Sequence, residues 1–207
     1  MEDNLLTEKF RPRAIDEFLG LDKPKKLCKR LAANPFSSAY FFIGEPGLGK
    51  TTLALALADA IPAELHHIQS QDCNLETMRQ VVSTCHRVPW AGKKCHLVLV
   101  DEADRMSTAA QLYLHSILDA TARPPDTIFI FTGNTTDGLL PSFMSRCMPV
   151  EFSSYGNSQD AAALLERAWK AEAPADATAP NFARIVKEAT GNIRASLMRL
   201  QTELLMA

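Results

Sequence analysis

The sequence predicts an α/β protein, with a parallel five-stranded sheet flanked by helices, followed by a small all-helical domain. Three observations predict it. Short apolar runs alternate with helix-spaced patterns, as they do where helices cover a parallel sheet. The central runs are almost continuously apolar, which suits strands buried on both faces. After Phe152 the strand-like runs stop and only helical patterns follow. The 207 residues, 46% of them hydrophobic, carry a formal net charge of -2 and supply enough apolar surface for a core and one or two domains.

The first strand is read in AYFFIG (39–44), and a glycine-rich turn leads from it into the buried helix TTLALALADAI (51–61). ELHHIQ (64–69) and HLVLVDE (96–102) are the next two strands. STAAQLYLHSILDA (107–120) places Ala110, Leu114, Ile117 and Leu118 at helical spacing. TIFIFTG (127–133) and MPVEF (148–152) complete the sheet. Near SSYGN (153–157) the pattern turns helical: SQDAAALLERAWKAE (158–172), a Pro/Ala-rich loop PADATAP (174–180), NFARIVKEAT (181–190), a Gly-Asn break, and IRASLMRLQTELL (193–205). The division expected is a nucleotide-binding domain at 1–152 and a helical lid domain at 153–207.

No apolar stretch approaches the roughly 20 residues that span a bilayer, and MEDNLLTEKF is charged rather than signal-like, so a cytoplasmic protein without a membrane partner is expected. The five cysteines (28, 73, 85, 95, 147) are odd in number and form no CxxC pair, which suggests neither a disulfide framework nor a zinc ribbon. The neighbours Cys85-His86 and Cys95-His96 invite a metal reading. However, Cys95 and His96 open a strand and should point to opposite faces, so no metal other than magnesium is expected. The slightly acidic balance shows no basic stripe for nucleic acid.

The strongest chemical signal is GEPGLGKT (44–51), which fits GxxxxGK[ST] and sits between a strand and a helix. Phosphate oxygens need several donors converging from backbone. Gly47 and Gly49 let the chain approach closely, and the helix N-terminus offers unpaired N–H groups. The candidate cradle runs through Gly44, Glu45, Pro46, Gly47, Leu48, Gly49, Lys50, Thr51 and Thr52. Lys50 supplies a cation for the outer phosphates, and the Thr51 hydroxyl a magnesium ligand. Asp101 and Glu102 end the apolar strand HLVLV; Asp101 is the candidate magnesium-side carboxylate, and Glu102 the candidate water activator. An acidic pair after a strand also arises from helix capping, and the upstream loop favours the catalytic reading. Asn134, after the strand TIFIFTG, can align water or a terminal phosphate, although read alone it fits a turn equally well. Arg194 begins the last helix, where a solvated arginine is the ordinary case.

Arg146 stands before its strand. Ligands of parallel sheets sit outside the carboxyl ends of the strands, so Arg146 belongs at the opposite edge, about five residues or some 17 Å from its own phosphates at roughly 3.3 Å per residue. Its alternatives are a surface ion pair or an arginine that serves a neighbouring subunit.

Across essentially its whole length the chain resembles an AAA+ ATPase of the clamp-loader type, with replication factor C small subunits, polymerase III gamma-like subunits and phage loaders in that group. GEPGLGKTT and DEAD (101–104) resemble its Walker A and Walker B motifs, Asn134 its sensor 1, SRC (145–147) its arginine-finger motif, and Arg194 in GNIRASL its sensor 2. LTEKFRPRAIDEFLG resembles the family's opening segment, which implies an adenine border at Arg11, Pro12, Phe18, Leu19 and Gly20. The basic pair that this family carries after Walker B is His115-Ser116 here. The family's helical collar domain is expected to be lacking from this sequence, as in a naturally short protein, a fragment or a related AAA+ branch.

The resemblance implies ATP and magnesium as ligands and hydrolysis of ATP to ADP and phosphate. It implies catalytic roles for Glu102, Lys50, Asn134, Arg146 and Arg194, with Arg146 acting in trans in an oligomer of AAA+ subunits. It further implies a sliding clamp and primer-template DNA as partners, with Arg79 and Arg105 on the DNA-facing side or simply solvated. Two other readings stay open: a different AAA+ DNA-remodelling ATPase, such as a helicase loader or recombination factor, and a nucleotide-binding structural subunit.

Overall fold

The structure is a computed structural model in which residues 5–69, 72–154, 158–174 and 176–206 are described. Tyr155, Gly156 and Asn157 of the expected junction, and Ala175 of the Pro/Ala-rich loop, lie outside the described residues.

Five strands form one parallel sheet: β1 (Ser38–Ile43), β2 (Glu64–Ile68), β3 (His96–Val100), β4 (Thr127–Gly133) and β5 (Met148–Glu151), in the order β2-β3-β4-β1-β5. The fold class read from the sequence is the one observed. In β3 and β4 every residue is buried, because helices cover both faces. β5 is mostly exposed and carries Pro149, which an edge strand tolerates since it lacks a ladder donor.

The pleat sorts the core into two layers. Tyr40, Phe42, Leu97, Leu99, Ile128 and Ile130 face α2 (Asp22–Ala33) and α3 (Lys50–Ala60). Phe41, Val98, Val100, Phe129 and Phe131 face α4 (Leu75–Cys85), α5 (Thr108–Ile117) and α6 (Pro141–Met144). The sequence reading did not single out α2 or α4. α4 is nevertheless locally encoded, since Asn74 caps it by accepting from the Thr77 N–H, and Met78, Val82 and Cys85 bury one face at spacings of four and three.

A third apolar cluster belongs to α7 (Ser158–Glu172), α8 (Phe182–Glu188) and α9 (Ile193–Met206). The short N-terminal helix α1 (Leu6–Lys9) packs on it. Leu6 is buried there, its N–H donates to Gln201 Oε1 at 2.9 Å, and Lys9 pairs with Glu172 at 2.6 Å. The opening segment therefore runs from the helical layer to the sheet layer, and this places its later residues over the crevice between the two. Among the described residues no helix is long and apolar enough to cross a membrane.

Candidate functional site

The site grows from the turn between β1 and α3. Gly47 and Gly49 adopt φ of 82° and 84°, a left-handed backbone that side-chain-bearing residues rarely take. Space agrees with conformation: a Cβ at Gly47 would come within 2.6 Å of Asn192 Oδ1, and one at Gly49 within 3.2 Å of the Phe18 ring. The loop then enters α3 at Lys50, so the first-turn N–H groups of an 11-residue helix face the crevice.

Lys50 is only 8% exposed. Its ammonium donates to the Gly44 carbonyl at 2.7 Å, the Glu45 carbonyl at 2.9 Å and Asn134 Oδ1 at 3.0 Å. Burial holds its pKa below the ordinary lysine value; Asp101 and Asp104 oppose that shift, and Arg194 adds to it. All three acceptors are neutral oxygens, so a phosphate anion is a stronger partner for this cation than any it now has.

Beside it the β3–β4 pairing sets the carboxylate. Val100 pairs with Phe131, which brings Asp101 next to Thr132. Asp101 Oδ1 accepts from Thr51 Oγ1 at 2.6 Å and from Thr132 Oγ1 at 2.5 Å. Thr51 and Asp101 thus present two hard oxygens within one coordination sphere, the donor type that magnesium takes, so the residues present fit that ion.

Glu102 adopts φ of 51°, a strained conformation for a glutamate, and its N–H donates to Thr132 Oγ1 at 3.1 Å. Its carboxylate lies half-exposed, 3.6 Å from Arg105. Asp104 sits deeper, and its Oδ1 is buried without a hydrogen-bond partner.

A cavity of about 730 Å³ adjoins the loop, between the sheet domain, the opening segment and the helical layer. Arg11, Pro12, Phe18 and Leu19 line it, together with Gly47, Leu48, Gly49 and Thr52 of the loop and Arg194 of α9. The Arg11 guanidinium pairs with Glu8 at 3.2 Å. Gly20 does not line the cavity; it turns the chain at φ of 59°. Gly44, Glu45 and Pro46 form the near side of the loop, where the first two engage Lys50.

Asn192 completes the enclosure. Its Nδ2 donates to the Pro46 carbonyl at 2.5 Å while its Oδ1 accepts from the Ala195 N–H at 3.0 Å, so one side chain caps α9 and clasps the phosphate loop.

Lys50, Thr51, Asp101, Asn134 and Arg194 are therefore brought together at the carboxyl edge of the sheet. Arg146 is not among them. It precedes β5 at the opposite edge and pairs with Asp119 at 3.0 Å, whose carboxyl is held low first by the Thr121 N–H, then by the Thr121 hydroxyl and Arg146. Arg79 lies over the Tyr113 ring at 5.9 Å, and Arg105 is the partner of Glu102.

Sequence reasoning missed Thr132, Asp104 and Asn192. Thr132 and Asp104 lie within motifs already singled out; the place of Thr132 beside Asp101 follows from the cross-strand register, and the burial of Asp104 Oδ1 from the turn after β3. Asn192 stands two residues before Arg194, where an N-cap for the last helix was the available signal.

Comparison with known proteins places the chain by family and by fold. Residues 40–155 match the ATPase family associated with various cellular activities (AAA). A replication factor C small subunit 2 from Pyrobaculum aerophilum is 32% identical over 153 residues, covering 70% of this chain and 47% of that protein. A sliding-clamp-loader large subunit from Escherichia phage RB69 is 28% identical over 153 residues, 73% of this chain and 47% of that one. The chain thus spans about half the length of the curated relatives it matches. In fold it is similar to the Thermotoga maritima RuvB Holliday junction branch migration motor, with a TM-score of 0.72 at 22% identity, over 93% of this chain and 64% of that chain. With more than half of its length matched, the chain belongs to the ATPase family associated with various cellular activities (AAA).

Proposed function

We propose that this chain is an ATP-binding and ATP-hydrolysing subunit of an oligomeric clamp-loader-like machine that acts on primer-template DNA and a sliding clamp. The observation that supports it most is the convergence of Lys50, Thr51, Asp101, Asn134 and Arg194 beside a cavity closed by the helical layer.

The triphosphate lies along Gly47–Thr51, with the adenine toward Phe18 and Leu19. Lys50 exchanges its carbonyl and amide partners for outer phosphate oxygens, and Asn134, released from Lys50, turns its amide to the terminal phosphate or the attacking water. Thr51 and Asp101 would hold magnesium, which neutralises charge on the phosphates when bound. Glu102 takes the water proton once its carboxylate leaves Arg105. Arg194, carried on α9, reaches the phosphates from the lid side, so nucleotide contact and lid position are coupled through Asn192 and Pro46.

Arg146 serves a neighbour. Met148 of β5 pairs with Tyr40, four residues before Gly44, so at roughly 3.3 Å per residue at least ~13 Å of strand separates its edge from its own phosphate loop. On assembly the guanidinium exchanges Asp119 for the terminal phosphate of the adjacent subunit.

The test is ATP turnover as a function of assembly, combined with capture of partners. Turnover that rises with oligomer formation, and co-purification with a sliding clamp, are expected. Full turnover by the isolated monomer removes the trans role of Arg146, and co-purification with a helicase instead redirects the machine to helicase loading.

A further inference from the structure

The amino edge of the sheet carries a second cluster with its own chemistry. Glu64 and His66 stand two residues apart on β2 and therefore share a face, and Glu64 pairs in register with His96, the first residue of β3. That face is the one covered by α4, whose last residue is Cys85. His66 Nε2 lies 3.0 Å from His96 Nδ1, and the ligand atoms of His66, Cys85 and His96 all lie within 4.8 Å of one another. Glu64 Oε2 is 3.6 Å from the same His96 nitrogen.

Three details point to a metal rather than to a packed polar corner. His96 Nε2 faces the Arg87 carbonyl at 2.9 Å; because a carbonyl only accepts, the proton sits on Nε2, and Nδ1 turns its lone pair toward His66, Cys85 and Glu64. That carbonyl is the kind of outer partner that metal-bound imidazoles use. The last carbonyls of α4 place the negative end of the helix dipole at Cys85. One thiolate and one carboxylate would also balance a divalent charge, which a site lined by buried Cys85 and His96 requires.

The sequence reading rejected a metal because Cys95 and His96 point to opposite faces. They do: Cys95 lies in the α3-side core, and His96 faces α4. The cluster instead takes Cys85 from one Cys-His pair and His96 from the other.

We infer that Glu64, His66, Cys85 and His96 bind a structural zinc ion, which ties β2, the end of α4 and the start of β3 together at the edge remote from the phosphate loop. A thiolate, two imidazoles and a carboxylate suit tetrahedral zinc, whose donors stand about 3.3–3.8 Å apart for bonds of ~2.0–2.3 Å, so the His66, Cys85 and His96 donors close by about 1 Å at their widest, and Glu64 joins from 3.6 Å beside His96. Binding breaks the Cys85 S–H bond and forms the S–Zn bond, and the proton passes to solvent. The ion also steadies the segment after α4, because Glu64 Oε2 accepts from the N–H of Trp90, whose indole is 77% exposed.

The test uses the full chain, stripped with a chelator and re-equilibrated with zinc without nucleotide. One equivalent of zinc by elemental analysis is expected. Cobalt in its place should give a tetrahedral spectrum with a thiolate-to-metal charge-transfer band. Cys85→Ser should remove that band, and His66→Gln, a half-buried change that leaves the core intact, should weaken zinc binding at least about tenfold. Asp101→Asn should leave zinc binding unchanged, which separates this site from the nucleotide-side one. Substoichiometric zinc after equilibration, a charge-transfer band retained in Cys85→Ser, unchanged affinity in His66→Gln, or loss of zinc in Asp101→Asn would each overturn the assignment.

Discussion

The two edges of the sheet are built from the same strands and do opposite things. At the carboxyl edge, polar groups from α3, α9 and the ends of β3 and β4 touch one another next to a cavity: Lys50 meets Asn134, Asp101 meets Thr51 and Thr132, and Asn192 holds the loop. Most of these contacts are made between groups that a phosphate or a hard cation would separate. At the amino edge the polar groups are paired locally: Arg146 with Asp119, and His96 with His66 and the Arg87 carbonyl. The difference teaches that a parallel sheet fixes where ligand chemistry sits, since every strand delivers its last residue to one plane. Its first residues are left for contacts within the chain, with a second subunit or, at β2 and β3, with the inferred structural ion.

Arg146→Ala probes the amino edge most severely. In the assembled state it should lower ATP turnover by about 10³-fold while leaving ATP binding intact, because a trans guanidinium acts on charge that develops only in the transition state. Mixing it with Lys50→Ala subunits should restore part of the turnover, since the Lys50→Ala chain still lends its own Arg146. Unchanged turnover in the assembled single variant would mean that Arg146 does no more than pair with Asp119.

At the carboxyl edge, Glu102→Gln should bind ATP normally and lose about 10²- to 10³-fold in turnover, as expected when an isosteric amide removes the base. Near-normal turnover would move the base to another carboxylate, with Asp104, whose Oδ1 is buried, the first to test. Lys50→Ala should weaken ATP binding by about 100-fold, the order of one to two charge-assisted hydrogen bonds. Titration with a fluorescent ATP analogue reads this directly, and tight binding by the variant would refute the loop assignment.

The smallest effect belongs to the clasp between the two layers. Asn192→Ala removes both the cap of α9 and the bond to Pro46, and should cost about 1 kcal/mol of thermal or denaturant stability. It should also loosen ATP binding a few-fold, whereas Asn192→Asp, which keeps the cap acceptor but loses the donor, should retain most of the stability and lose the same affinity. ATP affinity unchanged in Asn192→Asp would show that the clasp contributes nothing beyond capping.

What could be read from the residues follows a physical divide. The phosphate loop was legible because its requirements are local: glycines where the backbone turns left-handed, a lysine and a threonine in register, and a helix start directly after a strand. The five strands were legible because both faces of the sheet are buried and their apolar runs are continuous. α2 and α4 were not singled out, since each buries only one face and its apolar residues are diluted by polar ones. Asn134 was read from its place after β4, with a turn as its equal alternative, and Arg194 gained its assignment from a family resemblance; the structure sets Asn134 against Lys50 and Arg194 next to Gly47 on the cavity.

The sequence by itself determined the order of elements, the glycine-rich turn into α3 and the strand-end carboxylates, because those depend on neighbours a few residues apart. Only the tertiary structure decided that Thr132 braces Asp101, that Asn192 reaches Pro46, that Asp119 holds Arg146, and that Cys85 meets His66 and His96. Each of these contacts joins residues from different elements through strand order and register, quantities that arise from packing the whole chain and leave no mark in any short stretch of it.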